Sequence, residues 1–266
     1  MRRLPEALAA AGLPSRLAAR WGGRVAAPAY RAEVDPKTGI RNASAIARYA
    51  FDLAGAIDPA IERGDFPLVL GGDCSILLGS LLALRRRGRH GLFFLDGHAD
   101  FATPATSPSH GAAGMDLALA TGRGPAELSD LGGVGPLVRD EDVVAMGFRD
   151  EDALPPAMGL WGIDRLREVG MSQSVRDEVA RLRGGGVRGF WIHVDADVLD
   201  PSMMPAVDTP EPGGLTLSEL EMLLRELVSS DLAVGMQFCI FDPDLDPAGE
   251  HARALVDLLA GALSPS

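Results

Sequence analysis

The chain has 266 residues, of which 47% are hydrophobic, and it carries a formal net charge of −12 with only two cysteines. A chain of this length buries a core without disulfides, and two cysteines exclude a disulfide scaffold. The acidic balance excludes a general nucleic-acid binder and disfavours binding to an anionic membrane surface. No apolar run approaches the ~20 residues of a membrane span, and the N-terminus lacks the clean apolar stretch of a secretory signal. We therefore expect one cytoplasmic domain over residues 1–266, with a small molecule as its partner.

Short apolar runs alternate with longer segments of helical periodicity along the chain. The predicted strands are 67–70, 92–95, 143–146, 190–194 and 234–241. The predicted helices are 42–55, 75–87, 173–183, 216–229 and 248–262. Strands that are apolar throughout and separated by helices predict an α/β fold with a parallel sheet covered on both faces. Thr216 and Glu219 form a capping-box pattern, and Ser172 or Ser174 is the expected cap of the helix before it.

Acidic clusters follow three of the predicted strands directly. Asp96-Gly-His98-Ala-Asp100 follows the second strand, and Asp195-Ala-Asp197 follows the fourth. Gly71-Gly-Asp73-Cys74 follows the first strand. Because the carboxyl ends of parallel strands share one rim of a sheet, we expect these clusters to converge.

Several carboxylates at one rim need a cation to neutralise them. Spacing by two residues points alternate side chains the same way, so Asp96, His98 and Asp100 can face one centre, and so can Asp195 and Asp197. Carboxylate with imidazole is a ligand set of hydrolytic Mn, Zn, Fe or Ni sites. A single loop aspartate is more often a helix cap or a solvated turn residue. Two such motifs, each after an apolar strand, predict a divalent metal site.

The motifs together resemble those of the ureohydrolase family, which includes arginase, agmatinase and formiminoglutamase. The matching segments are Gly71 to Ser75, Asp96 to Asp100, Gly147 to Asp152, Asp195 to Pro201 and Thr209 to Thr216. Their order and spacing hold from about residue 40 to the end of the chain.

The resemblance implies a three-layer α/β/α sandwich with a mostly parallel, eight-stranded sheet. It implies two Mn²⁺ ions bridged by a hydroxide that attacks a guanidinium-type carbon, and often a homo-oligomer. By position, residue 74, Asp96, Asp100 and Asp195 would hold one ion. Asp96, His98, Asp195 and Asp197 would hold the other. Asp73 and Asp200 would fix loops, and Asp100 is also a candidate catalytic group.

Position 74 departs from the family, which has a histidine ligand there. A thiolate is softer than imidazole, so Cys74 would favour Zn, Fe or Ni over Mn, or leave one of the two metals weak. Alternatively, Cys74 is a buried and inert cysteine. Both interpretations stay open, with one or two ions bound.

The proton-shuttling histidine of the family is also displaced. An ungapped alignment puts Ala113 at its position, and His110 lies three residues earlier. His110 is the candidate replacement, provided that its loop is rearranged. Otherwise it is an exposed loop residue.

The largest departures from the family concern the residues that would bind the substrate. The family's late glutamate, which would bind a guanidinium, is replaced by Ile240, and Asp242 and Asp244 are expected in an exposed acidic turn. The remaining candidate substrate-binding residues are Ser109, Asp150, Asp152 and Thr209. We therefore expect a metal-dependent hydrolase of a linear guanidino or amidino C–N bond, with L-arginine a doubtful substrate. The alternative is a pseudoenzyme that serves as a metal-binding or interaction protein.

Three further expectations concern single positions. His193 shares a strand with Asp195 and is expected to pack, or to lie just behind the metal ligands. Cys239 is expected in the core. The chain opens at the segment that matches the family's first helix, so we expect the natural start to lie upstream.

Overall fold

The computed structural model describes residues 1–149 and 154–264. One all-parallel sheet has the strand order β1-β6-β5-β2-β3-β4. Its strands are β1 Leu68–Leu70, β2 Gly91–Leu95, β3 Val143–Met146, β4 Gly159–Trp161, β5 Phe190–Asp195 and β6 Ala233–Cys239. The predicted parallel sheet is thereby confirmed. The described residues form six strands, where the resemblance implied eight.

Helices precede the first strand, follow the last one, and lie in the connections β1–β2, β2–β3, β4–β5 and β5–β6. They are α1 Leu4–Ala10, α2 Leu13–Arg16, α3 Ala43–Glu62, α4 Leu77–Arg85, α5 Asp116–Ala120, α6 Ala126–Ser129, α7 Ile163–Val169, α8 Met171–Gly184, α9 Leu217–Val228 and α10 Glu250–Leu263. Each of the five predicted helices corresponds to one of α3, α4, α8, α9 and α10. The described part of the chain has no helix long and apolar enough to cross a membrane.

The strand order reverses between β2 and β5, which are neighbours in the sheet. The chain leaves β2 through α5 and α6 toward β3, but leaves β5 through α9 toward β6, on the other side. Right-handed crossovers then place α4 to α6 on one face and α7 to α9 on the other, which gives the three-layer sandwich. A crevice opens where the order reverses, outside the carboxyl ends of β2 and β5.

Local signals fix most of the element ends. The capping box is present: Thr216 Oγ1 accepts from the Glu219 amide, and Glu219 accepts from the Thr216 amide. The expected serine cap of α8 is wrong, because the chain turns through Gly170 at φ +95° and α8 begins at Met171. Ser174 instead donates its hydroxyl hydrogen to the Gly170 carbonyl. Strand β4 was missed, since three residues with a glycine give too short an apolar run.

Candidate metal centre

Asp96 and Asp195 lie side by side at the point where the strand order reverses. Strands β2 and β5 pair in parallel with Leu95 opposite Val194, so the next residue of each strand emerges at the same height. Asp96 is 1% exposed and Asp195 is 2% exposed. Burial, followed by the neighbouring carboxylates, raises the pKa of both groups well above the ordinary aspartate value. Two such groups together need a cation or protons.

Short turns lock the two motifs against each other. Asp96 Oδ1 accepts from the His98 amide at 2.8 Å, and Asp195 Oδ1 accepts from the Asp197 amide at 2.7 Å. The Gly97 amide donates to Asp197 Oδ1 at 3.0 Å, while His98 Nδ1 lies 3.0 Å from Asp197 Oδ2. One donor atom from each of Asp96, His98 and Asp197 therefore falls within 4.8 Å of the others. The structure brings these three predicted ligands together.

Arg149 holds the loop after β5 from the outside. Its Nη2 donates to the Asp197 carbonyl at 2.7 Å, and its Nη1 donates to the Val198 carbonyl at 3.2 Å. Burial lowers the pKa of its guanidinium, although nearby carboxylates oppose this. Gly97 makes this contact possible, because a Cβ there would lie 2.5 Å from Arg149 Nη2. The predicted substrate residues Asp150 and Asp152 lie outside the described residues.

Cys74 reaches the same centre from a third strand. It follows Asp73, whose Oδ1 accepts from the Ser75 amide at 3.0 Å and so shapes the turn after β1. Cys74 Sγ donates to Asp195 Oδ2 at 2.8 Å and lies 3.1 Å from Cys239 Sγ. Burial raises the pKa of the Cys74 thiol well above its ordinary value. As a thiol, Cys74 donates a hydrogen bond to Asp195. As a thiolate, it could bind a cation together with Asp96 and Asp195, because the donor atoms of the three residues lie within 4.8 Å of one another.

These residues fit a divalent cation. Asp96 Oδ2 is buried without a hydrogen-bond partner. The cationic side chain of Arg149 lies nearby, but the guanidinium donates to the carbonyls of Gly147, Asp197 and Val198. An unpaired buried carboxylate is strongly unfavourable, whereas carboxylates with one imidazole are suitable Mn²⁺ or Zn²⁺ ligands.

His193 lies behind the ligands in a fixed tautomer. Trp191 Nε1 donates to Gln237 Oε1 at 3.0 Å, so the amide nitrogen of Gln237 faces His193 Nδ1 at 2.7 Å. An indole only donates, so Gln237 must donate to Nδ1, and the ring hydrogen of neutral His193 is on Nε2. Nε2 then faces Asp96 Oδ2 at 3.7 Å, beyond hydrogen-bond distance. Burial lowers the pKa of His193 to about 3. His193 also lies near Cys74 and Cys239. It cannot bind a metal in this network, because Nδ1 accepts from Gln237 and Nε2 carries the ring hydrogen.

Sequence reasoning missed two carboxylates near the centre. Asp116 is fully buried, and its carboxylate lies within 4.8 Å of donor atoms of Cys74 and Asp100. Asp208 is an exposed residue, and partial desolvation followed by the charge of Asp197 raises its pKa. Both residues stand in stretches predicted as loops, and only the tertiary fold shows that these loops cover the rim.

His110 and Ser109 belong to a turn that packs on residues 38–41. His110 has φ +52°, and its Nδ1 lies 3.0 Å from the Gly39 carbonyl oxygen. Ser109 Oγ accepts from the Gly111 amide at 3.1 Å. The His110 amide donates to Ser107 Oγ at 3.1 Å, so within the described residues both bonds hold His110 in the turn and not at the carboxylates of the rim. A catalytic role of His110 stays a prediction that requires the loop to move.

Two further predicted residues, Asp200 and Thr209, lie in the loop that follows β5. Thr209 is exposed in the loop that Asp200 fixes, since Asp200 accepts from the amides of Ser202 and Gly213 at 2.9 and 2.8 Å. These bonds, with the Ser202 hydroxyl first, lower the pKa of Asp200 to about 2. Asp200 therefore fixes a loop, as expected.

The region of the family's glutamate is apolar here. Ile240 is buried at φ +72°, and its amide donates to the Gly72 carbonyl at 2.9 Å. Asp242 instead lies 2.8 Å from the N-terminal amine, and Asp244 is paired with Arg3. Both acidic residues belong to the expected turn and not to the rim.

Comparison with known proteins supports the fold and the family that the sequence motifs resemble. The sequence model of the Arginase family matches residues 28–264. Arginase from Bacillus caldovelox is 34% identical over 227 residues, covering 83% of this chain and 76% of that protein. The native structure of the Bacillus caldovelox arginase superposes with a TM-score of 0.89 at 30% identity, covering 99% of this chain and 92% of that one. Formimidoylglutamase from Bacillus subtilis shares the fold, with a TM-score of 0.67 at 22% identity, covering 83% and 68% of the two chains.

Proposed function

Because the chain belongs to the arginase family of ureohydrolase-type hydrolases, we propose that it hydrolyses a C–N bond of a linear guanidino or amidino compound, with L-arginine a doubtful substrate. The observation that carries the proposal is the cluster of Asp96, His98 and Asp197 beside Asp195 where the strand order reverses. His98 is 21% exposed while the carboxylates are buried, so the cluster is reached from one side.

The metal would be held by two overlapping groups. Asp96, His98 and Asp197 form one, and Cys74, Asp96 and Asp195 form the other. A bound divalent cation supplies acidified water as the nucleophile and stabilises the charge that develops on the substrate. We propose Mn²⁺ first, because carboxylate oxygens dominate both groups, with Zn, Fe or Ni the alternatives if Cys74 binds as a thiolate.

The protein's own residues hold and orient this centre. Arg149 fixes the carbonyls of Asp197 and Val198, so that the ligating turn keeps its shape. We assign proton transfer to Asp100, at the end of the ligand motif, with His110 as the second candidate. Asp100 has φ +45°, an uncommon backbone conformation for a residue with a Cβ.

The substrate proposal follows from the apolar position 240. A guanidinium prefers a bidentate carboxylate, and buried Ile240 offers none. Asp208, an exposed carboxylate whose pKa is raised in part by the charge of Asp197, is a candidate to meet a cationic group of the substrate. Ser109, Asp150, Asp152 and Thr209 remain the candidates for binding the distal end of the substrate.

The test is metal content followed by a substrate screen. We expect wild-type protein purified without chelator to bind divalent metal, and to release urea or ammonia from at least one guanidino or amidino compound. His98→Asn should lower the metal affinity by at least about tenfold and the rate with it. Arg183→Ala, which breaks an exposed ion pair with Asp231, is the matched control and should change neither.

The missing carboxylate at Ile240 also favours a second function, a metal-binding pseudoenzyme. Bound metal with no hydrolysis across the panel would support that function. No metal, even after addition of Mn²⁺ or Zn²⁺, would overturn the hydrolase proposal and leave an interaction protein of this fold.

A further inference from the structure

Asp116 is a buried carboxylate for which the protein provides no partner. It is 0% exposed at the first residue of α5, and neither of its oxygens has a hydrogen-bond partner in the described structure. An ionised carboxylate in this state is strongly unfavourable. A protonated one would leave its own O–H without an acceptor. The surroundings of Asp116 are therefore complete only with something bound to it.

Asp116 approaches the metal centre from an element that carries none of the predicted ligands. Its carboxylate, Cys74 Sγ and the Asp100 carboxylate lie within 4.8 Å of one another. The backbone ties the two segments together, because the Ala118 amide of α5 donates to the Asp100 carbonyl at 3.4 Å. Space is left beside them at Gly114, where an added Cβ would lie 3.9 Å from Asp100 Oδ1.

We propose that Asp116 is a ligand of a divalent cation and supplies the donor that position 74 lacks. Cys74 directs its thiol hydrogen to Asp195 Oδ2, so in this arrangement it is a poor ligand. A carboxylate oxygen from Asp116 reaches the same neighbourhood, and hard oxygen donors suit Mn²⁺. This inference rests on the proposed function only in requiring a metal at this rim, since it does not depend on the substrate.

The competing possibility is that Cys74 is the ligand and that Asp116 is a buried acid without a role. The two differ in which substitution removes metal. If Asp116 binds the cation, Asp116→Asn weakens binding and Cys74→Ser does not, because a serine hydroxyl still donates to Asp195. If Cys74 binds the cation, the order is reversed.

The experiment titrates chelator-stripped, full-length protein with Mn²⁺ alone, by calorimetry and by metal analysis after dialysis. We expect Asp116→Asn to bind Mn²⁺ at least about tenfold more weakly at one site than wild type. Cys74→Ser should bind close to wild type. The matched control is Asp142→Asn, another buried aspartate, whose carboxylate is held by Arg89 Nε at 2.7 Å and Nη2 at 2.8 Å. That control should bind Mn²⁺ normally.

A second readout needs no metal. In chelator, Asp142→Asn should lower the thermal midpoint more than Asp116→Asn does, because it removes one of the two carboxylate oxygens that accept from Arg89, whereas the oxygens of Asp116 accept no hydrogen bond from the described residues. If Asp116→Asn does not fold, Asp116→Ser removes the same charge and serves in its place.

Unchanged Mn²⁺ affinity in Asp116→Asn would overturn the inference, as would metal loss in Cys74→Ser alone. Wild-type protein that binds Mn²⁺ through Asp116 but hydrolyses no guanidino compound would sink the proposed function and leave this inference standing. If Asp116→Asn still hydrolyses a guanidino compound and binds Mn²⁺ with unchanged affinity, the proposed function stands and this inference is wrong.

Discussion

The buried chain of hydrogen bonds from Trp191 through Gln237 to His193 gives a quantitative prediction. Gln237 is 0% exposed and both ends of its amide are used, with Trp191 at 3.0 Å and His193 at 2.7 Å. Gln237→Leu keeps a similar volume but removes both partners. It leaves the Trp191 N–H and His193 Nδ1 buried and unsatisfied.

Leaving one buried polar group unsatisfied costs about 1–3 kcal/mol, so two cost about 2–6 kcal/mol of the free energy of unfolding. Leucine recovers part of this through its apolar surface, so we expect a net loss of about 1–4 kcal/mol. At about 2–4 °C per kcal/mol for a protein of this size, the thermal midpoint should fall by roughly 2–16 °C.

Thermal unfolding in the presence of chelator measures the loss, with Gln173→Leu as the matched control. Gln173 is exposed and bonds only to its helical neighbours Asp177 and Arg176, so its replacement should stay within about ±0.5 kcal/mol. The tautomer has its own assay, because nitrogen NMR separates a proton on Nε2 from one on Nδ1. Wild-type His193 protonated on Nδ1, or a Gln237→Leu variant as stable as Gln173→Leu, would refute this reasoning.

Three other predictions test the rim. Gly97→Ala places a methyl group 2.5 Å from Arg149 Nη2 and 2.8 Å from the Asp197 carbonyl. We therefore expect metal binding, measured by titration, to be at least about tenfold weaker. Normal binding would contradict the role assigned to the contact between Arg149 and Asp197. In chelator, the raised pKa values of Asp96, Asp116 and Asp195 let the folded state keep protons that the unfolded chain releases. The thermal midpoint should therefore rise as the pH is lowered from the alkaline side. Added Mn²⁺ should suppress that rise; a midpoint that falls instead would show that other groups dominate. Ile240→Glu should increase urea release from L-arginine relative to wild type, and Ile240→Gln is the uncharged control. Equal rates in the two variants would refute the argument that a carboxylate at position 240 binds the substrate guanidinium.

The sequence predicted most of the sheet and most of the residues of the candidate metal centre, for a physical reason. Apolar strands such as Leu92–Leu95 must be buried, and acidic residues directly after them must emerge at one rim in a parallel sheet. Asp96, His98 and Asp197 therefore met as expected.

The omissions concern residues whose surroundings depend on segments distant in the sequence. Asp116 follows a glycine-rich stretch without periodicity, so its burial depends on how residues 101–115 fold back over the rim. The direction of the hydrogen bonds at His193 depends on Gln237, 44 residues away on β6. A sequence can mark such residues as polar within an apolar strand, but only the pairing of β5 with β6 shows that they satisfy each other.

The departures from the family leave the turns at the ends of β2 and β5 unchanged. These turns keep Asp96, His98, Asp195 and Asp197, whereas Cys74 follows β1, Ala113 lies in the connection from β2 to β3, and Ile240 follows β6. A metal at Asp96, His98 and Asp197 keeps its full donor set, whereas a metal near Cys74 depends on substitute donors. Two sites with unequal donors bind with unequal affinity, so stepwise Mn²⁺ titration of the wild-type protein should resolve two events. Asp116→Asn should weaken only the weaker event, and a single event with two equivalent ions would contradict this division of the centre.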